Sequence, residues 1–316
     1  MKRRLVAILA ALAVLPAAGC GFGAGDSTGN VTLTVTRDFG GETLHEGVDE
    51  DKSPANEGDT VMRLLQSKYD VKTRFGGGFV QAIDGLAGGR ENGRRADWFY
   101  YVNGIEAPVG AAERRVSGGD HVWWDHHTWD AAQRVPAVVG SYPEPFLSGS
   151  EGKRFPVRLV CMGEETRSCD EVQTRLTDAG VKALSRAVLE QSGGKEVLRV
   201  IVGRWADVRR DPVVRRLERG PQVSGVFARP ISTGDAIVLL DADGQPVRTL
   251  RAGSGLVAAS SVEAQAPTWV VSGTDDVGVA AAAAALTKSR LAQHFALAVD
   301  GGRDVPLPVS GPGTGP

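Results

Sequence analysis

The chain has 316 residues, of which 42% are hydrophobic and 23% charged, and its formal net charge is −2. That composition can bury a core but has no basic footprint for nucleic acid, so nucleic-acid partners are disfavoured. The length sets a prior of two domains.

At the amino terminus, Met1-Lys2-Arg3-Arg4 supplies a positive end, and the apolar run from Leu5 to Leu15 is too short to span a bilayer comfortably and stops at Pro16. This is the make-up of a secretory signal over residues 1–19 rather than a transmembrane helix. Ala17-Ala18-Gly19-Cys20 resembles the bacterial lipobox. The resemblance implies that the Cys20 thiol receives a diacylglycerol, so that the protein is lipid-anchored in the cell membrane and faces outside the cytoplasm; an ordinary signal peptide with a chance cysteine is the alternative. With Cys20 acylated, Cys161 and Cys169 remain as an even pair in an oxidising compartment, and a disulfide between them is expected. A two-thiolate metal site would need tighter spacing and nearby histidines.

Residues 20–30 read as a small-residue, polar tether, and residues 31–130 as a first domain. Val31-Thr32-Leu33-Thr34-Val35 alternates as a half-buried strand. Gly58-Asp59-Thr60 starts a helix with Val61, Leu64 and Leu65 on one stripe. Strands follow at Phe79 to Ile83, at Asp97 to Val102 before the turn Asn103-Gly104, and at His121 to Asp125 after Gly118-Gly119-Asp120. Residues 131–154, with Pro136, Pro143, Pro145 and a Gly/Ser stretch, read as an interdomain linker. Residues 155–303 then read as a separate α/β domain. Its strands are expected at Val157 to Cys161, Val197 to Val202, Val223 to Phe227, Ala236 to Leu240, Val247 to Leu250, Thr268 to Val271 and Phe295 to Val299. Its helices are expected at Asp170 to Gln191, Ala206 to Arg219 and Asp275 to Leu291, the last capped by Thr274. Residues 304–316, rich in Pro and Gly, read as a disordered tail. The fold class is α+β.

The stretch Asp97-Trp98-Phe99-Tyr100-Tyr101-Val102-Asn103-Gly104-Ile105, followed by Gly119-Asp120-His121-Val122-Trp123-Trp124, resembles the bacterial family similar to the carboxy-terminal domain of transcobalamin and intrinsic factor, of DUF4430 type. Gly58-Asp59-Thr60-Val61 and Gly78-Phe79-Val80 sit where that family places its helix start and next strand. The resemblance implies a small β-grasp-like domain. It also implies a surface protein of the kind associated with uptake of cobalamin or another vitamin.

Trp98, Tyr100 and Val102 lie on one strand face and Phe99 and Tyr101 on the other, so both faces are aromatic. One face packs on the helix; the other is covered by the second domain, by a planar ligand or by a partner protein. Trp98, Tyr100, Tyr101, Asn103, Trp123 and Trp124 are the candidate ligand-binding residues, with a corrinoid as candidate ligand. His121, Asp125 and His127 share a face with Trp123 if the strand continues past Asp125. They read as surface residues rather than metal ligands, because residues two apart on a strand lie about 7 Å apart. Ala252-Gly253-Ser254-Gly255-Leu256 lacks the flanking glycines of a nucleophile elbow, and Gly149 to Lys153 lacks the spacing of a phosphate loop. The acid pairs Glu164-Glu165 and Asp275-Asp276 read as solvated or helix-capping. No catalytic residue, metal or cofactor is assigned. The expectation is therefore a lipid-anchored, ligand-binding protein serving a vitamin importer of the membrane, with an envelope protein–protein interaction module as the alternative.

Overall fold

A computed structural model describes residues 27–44, 51–56, 58–163, 166–262 and 265–310. The signal segment, Cys20, the tether up to residue 26, Glu164-Glu165 and residues 311–316 lie outside these residues.

The first domain contains strands β1 (Ser27–Arg37), β2 (Glu42–Thr43) and β3 (Asp51–Asn56), helix α1 (Val61–Gln66), and strands β4 (Val71–Arg74), β5 (Phe79–Ile83), β6 (Leu86–Ala87), β7 (Gly89–Glu91), β8 (Arg94–Val102), β9 (Ile105–Glu106) and β10 (His121–Thr128). Its main sheet runs β2-β1-β10-β8-β7, with β3 paired to β1 and β9 to β8; β4, β5 and β6 form a separate small sheet. The first strand is parallel to β10, which is antiparallel to β8. Helix α1 starts where Thr60 Oγ1 accepts from Arg63 N, the N-cap expected of that sequence. Its buried Val61, Leu64 and Leu65 pack with Trp98, Tyr100, Val122 and Trp124 on one face of the sheet. The expected tether gives way four residues early, because the backbone of Ser27 pairs with Asn56 and Asn30 with Pro54; ladder pairing, not side-chain pattern, makes residues 27–30 a strand.

The second domain contains β11 (Val157–Cys161), α2 (Arg167–Asp178), β12 (Leu184–Arg186), β13 (Leu198–Arg204), α3 (Trp205–Val208), α4 (Pro221–Ser224), β14 (Ala228–Pro230), β15 (Ile237–Leu240), β16 (Pro246–Leu250), β17 (Gly255–Ser260), β18 (Thr268–Gly273), α5 (Asp276–Ala285), α6 (Lys288–Leu291), β19 (Ala296–Asp300) and β20 (Arg303–Leu307). The large sheet runs β12-β11-β13-β18-β17-β19-β20. Its first four strands are mutually parallel, and β17 is antiparallel to both neighbours. Side chains alternate between two cores. Val200, Val202, Val257 and Val271 face the apolar side chains of α2 and α5, whereas Ile201, Leu256, Ala258 and Val270 face α3, the β14–β16 sheet and the first domain.

The architecture is α+β, with several elements redrawn. The helix expected to reach Gln191 ends at Asp178, because Gly180 adopts a positive φ of 97° that reverses the chain. The charged helix near 206–219 breaks at Pro212, where Asp211 Oδ1 accepts from the backbone of Val213 and Val214. The strand expected at Val223 to Phe227 is instead the end of α4, a short helix opened by Pro221 at its first turn and closed by left-handed Gly225. Asp275, not Thr274, caps α5 through Gly278 N, and the long alanine-rich helix stops at Ala285 before Thr287 caps α6. Residues 304–310 are not a disordered tail: β20 pairs with β19, and Val309 N donates to Leu240 O.

The expected linker is packed structure. Ala131, Ala132, Val135 and Val138 belong to the core between the sheets, while Val139, Tyr142 and Phe146 belong to the core under α2 and α5. The two domains are therefore distinct sheets sharing one core, in which Phe39, Tyr101 and Trp123 of the first meet Ile201, Phe227 and Phe295 of the second.

Candidate functional site

All six candidate ligand-binding side chains are buried. Trp98, Tyr100 and Trp124 lie under α1: Trp98 Nε1 donates to Leu86 O at 3.0 Å, Tyr100 Oη donates to Val109 O at 2.6 Å, and Tyr100 stacks on Trp124 with ring centroids 4.8 Å apart. Tyr101 and Trp123 lie on the opposite face, 5.6 Å and 5.2 Å from the Phe295 ring. The aromatic strands are thus no exposed stacking platform, because the second domain occupies the face on which a planar ligand would sit. Burial also pushes the Tyr101 hydroxyl well above the ordinary tyrosine range.

Asn103 is fully buried and ties the motif together. Its Nδ2 donates to Asp120 Oδ1 at 2.8 Å and to Gly149 O at 3.0 Å, and its Oδ1 accepts from His121 N at 2.8 Å. Asp120 in turn accepts from Ser117 N at 2.8 Å. The Val-Asn-Gly and Gly-Asp turns therefore hold each other and the 131–154 segment, which gives those residue types a structural reason.

A second polar group lies between the sheets, where the sequence suggested surface residues. Strand β10 continues to Thr128, and Asp125 and His127 face the second domain, nearly free of solvent. Asp125 accepts from Thr36 Oγ1 at 2.5 Å, Phe39 N at 3.1 Å, Gly40 N at 2.8 Å and His127 Nδ1 at 2.7 Å. A buried carboxylate needs such donors. Two of them, the Phe39 and Gly40 amides, come from a left-handed turn at Asp38, Phe39 and Gly40; at Gly40 a Cβ would lie 1.8 Å from Gln293 O, so only glycine fits. The turn inserts Phe39 between the domains, and the His127 ring is stacked between Phe39 and Phe99 at 4.5 Å and 4.4 Å. His121 is held separately, its Nε2 2.9 Å from Thr34 Oγ1. His121, Asp125 and His127 thus do not converge on one point; the Asp125–His127 pair serves the interface.

Clefts open to solvent among the described residues include the following two. One, about 620 Å³, lies beyond the carboxyl ends of β11 and β13 and is lined by Met162, Gly163, Gly203, Arg204, Asp207, Arg210, Asp276 and Val279. Chain leaving β11 passes to one face of the sheet and chain leaving β13 to the other, the arrangement that opens crevices in α/β sheets. Its charges are matched internally: Arg204 pairs with Asp276 and Arg210 with Asp207. The other, about 580 Å³, lies between the domains. Its walls include Val102, Ile105, Glu106 and Pro108 from the Val-Asn-Gly turn, Arg114, Arg134 and Ser150, and Arg216, Val223 and Ser261 from the second domain. Arg134 Nε donates to Glu106 Oε2 at 2.9 Å, and Arg114 pairs with Glu151 at 3.1 Å. Arg216 has a carbonyl partner, Val223 O at 2.5 Å, while its Nε is buried without an acceptor among the described residues. Burial raises the Glu106 carboxyl above its ordinary range, against the pull of Arg134.

Residues 58–128 match the family described as Domain of unknown function (DUF4430). The DUF4430 match begins just before α1 and ends with β10, so it contains both aromatic strands and the Asn103–Asp120 tie but neither β1 nor the second domain. No curated protein matches the chain. A solved structure from Ruminococcus gnavus ATCC 29149, described as a "putative metal binding protein", aligns at 16% identity over 32% of this chain and 98% of that one, with a TM-score of 0.23. At that score the likeness supports neither a fold nor a ligand. The expected Cys161–Cys169 disulfide is present and fits a secreted protein. No helix of the described residues is long and apolar enough to cross a membrane.

Proposed function

We propose that this protein is a membrane-anchored, extracytoplasmic binding protein that captures a small acidic molecule in the cleft between its two domains, and that it is not an enzyme. The observation that carries the reading is Arg216: a guanidinium on the cleft wall that has a carbonyl partner but no carboxylate partner among the described residues. A guanidinium without a carboxylate partner has charge and donors to offer, and a carboxylate or phosphate matches both. The three arginines against two glutamates leave the cleft net positive, and Val102, Ile105, Pro108 and Val223 offer an apolar wall. A volume of about 580 Å³ is that of an ordinary small-ligand site. Domain interfaces are also where such sites concentrate. Capture of cobalamin or a related vitamin for an importer is the finer form of this reading; the cleft would take an acidic substituent such as a phosphate, and the body of so large a ligand would engage the rim of the turn at Val102 to Ile105, not the buried rings.

Mass spectrometry of small molecules that co-purify from native membranes, followed by calorimetry with cobalamin and with the compounds found, tests the proposal. An acidic ligand whose affinity falls about tenfold or more in Arg216→Ala at unchanged melting temperature is expected. Affinity indifferent to Arg216 would remove the site. Palmitate labelling of wild type and Cys20→Ala tests the anchor, and label retained in the variant would end the lipoprotein reading.

A further inference from the structure

We propose that the β4–β5 hairpin tip is a membrane-contacting element, which seats its two phenylalanines in the interface of an anionic lipid surface. Phe75 is 87% exposed and Phe79 39% exposed, the rings meeting edge to face with centroids 6.2 Å apart. Large apolar rings side by side in water are unusual, and they mark a surface that something covers. The tip between them is Gly76-Gly77-Gly78, and Phe75 itself has a positive φ of 53°, a conformation that a bulky residue rarely adopts.

The flanking charges select the occupant. Lys72 and Arg74 alternate on the exposed face of β4, and neither makes an ion pair among the described residues. Aromatic rings beside unpaired basic groups match the chemistry of an anionic bilayer: rings enter the headgroup boundary while cations remain among the phosphates. A whole-chain charge of −2 makes this basic tip a local feature.

The length of chain before the fold agrees. Cys20 precedes Ser27, the first residue of β1, by seven positions, which reach at most about 25 Å when extended. A Cβ at Gly29 would lie 3.3 Å from the Gly118 Cα, and one at Gly110 would lie 3.1 Å from Gly78 O. One loop, residues 110–118, therefore runs from beside the root of β1 to beside the aromatic tip, and Val109, which precedes it, is 40% exposed. An acyl chain on Cys20 would hold this side of the domain near the bilayer. The proposal rests on the membrane-anchored reading for its setting, but not on the ligand cleft.

Flotation of the processed chain, residues 20–316 with Cys20→Ser so that no acyl chain contributes, on vesicles of phosphatidylglycerol and phosphatidylcholine tests it. Binding to the mixed vesicles, weak binding to phosphatidylcholine alone, and loss of about tenfold or more in Phe75→Ser/Phe79→Ser and in Lys72→Glu/Arg74→Glu at unchanged melting temperature are expected. No flotation, or flotation indifferent to the phenylalanines, overturns the proposal. Self-association abolished by Phe75→Ser also overturns it, assigning the tip to a second copy of the chain. Palmitate labelling of Cys20 keeps the two readings apart: label without flotation retains the anchor and loses the tip, and flotation without label does the reverse.

Discussion

At the scale of single residues, the buried histidines set how the fold responds to acid. Burial lowers the affinity of His126 for a proton, the largest influence on a ring whose Nε2 is enclosed without a partner among the described residues; His294 is lowered for the same reason. The unfolded chain titrates these groups near the ordinary 6.5, so below that pH it binds more protons than the fold does, and stability is lost as pH falls toward the depressed folded values. Glu106 and Glu144 act oppositely, because burial raises them and the fold gains relative stability as they protonate. Replacement of His126 isolates its share: His126→Asn should show a smaller drop in melting temperature between pH 7.5 and 5.5 than wild type, and an equal drop would place the sensitivity elsewhere. The sequence discloses that both faces of β8 are aromatic, since period-two alternation is a local property. It does not disclose what covers Tyr101 and Trp123, because alternation marks a face as apolar without naming its neighbour. Asp125 and His127 look solvated in the sequence for the same reason: the donors that justify the burial of Asp125, at Thr36, Phe39 and Gly40, lie far away in the chain.

At the scale of elements, caps and punctuation decide how well the chain can be read. The start of α1 is legible because Thr60 makes the usual side-chain cap, and the Asn103-Gly104 turn because both residues take positive φ. The end of α2 is obscured although Gly180 marks it, since apolar residues continue at helical spacing into Val181 and Leu184, which instead lead to β12. Strand β17 escapes a sequence reading although β18, equally buried on both faces, does not, because Gly255, Ala258, Ala259 and Ser260 are not the β-branched and aromatic residues that mark β18. The disulfide is legible from cysteine parity, and in the structure it pins the end of β11 to the first turn of α2, with Cα atoms 5.8 Å apart. The closed loop is short, so reduction should lower global stability by only about 2–3 kcal/mol. Hydrogen exchange should show the effect concentrated in α2. A loss well above that range would mean that the bond organises more than its own loop.

At the scale of the whole molecule, the division into two domains is a division of sheets and not of stability. The core containing Phe39, Tyr101 and Trp123 also contains Trp205, Phe227 and Phe295, and the 131–154 segment is threaded through it. A proline-spaced segment reads as a linker on composition, yet Val138 and Val139 are as buried as the strand core and Tyr142 is nearly so. Removing the second domain would leave one face of the first sheet, including the fully buried rings of Tyr101 and Trp123, open to water. It would also deprive the Phe39 turn of the partners against which Gly40 fits. Two consequences follow from the same packing. The intact protein should unfold in a single cooperative transition, with calorimetric and van't Hoff enthalpies in agreement. The fragment of residues 27–130, cut from that interface, should bind a hydrophobic dye and melt far below the whole chain. Trp123→Ala, which removes a fully buried ring at the shared interface, should cost about 3–5 kcal/mol in the intact protein. Its effect on the fragment should be much smaller, because there the ring is already exposed on its outer side. Two separated transitions in the intact chain, or a fragment as stable as the parent, would mean that each sheet carries its own stability and that the cleft between them can open as the domains move apart.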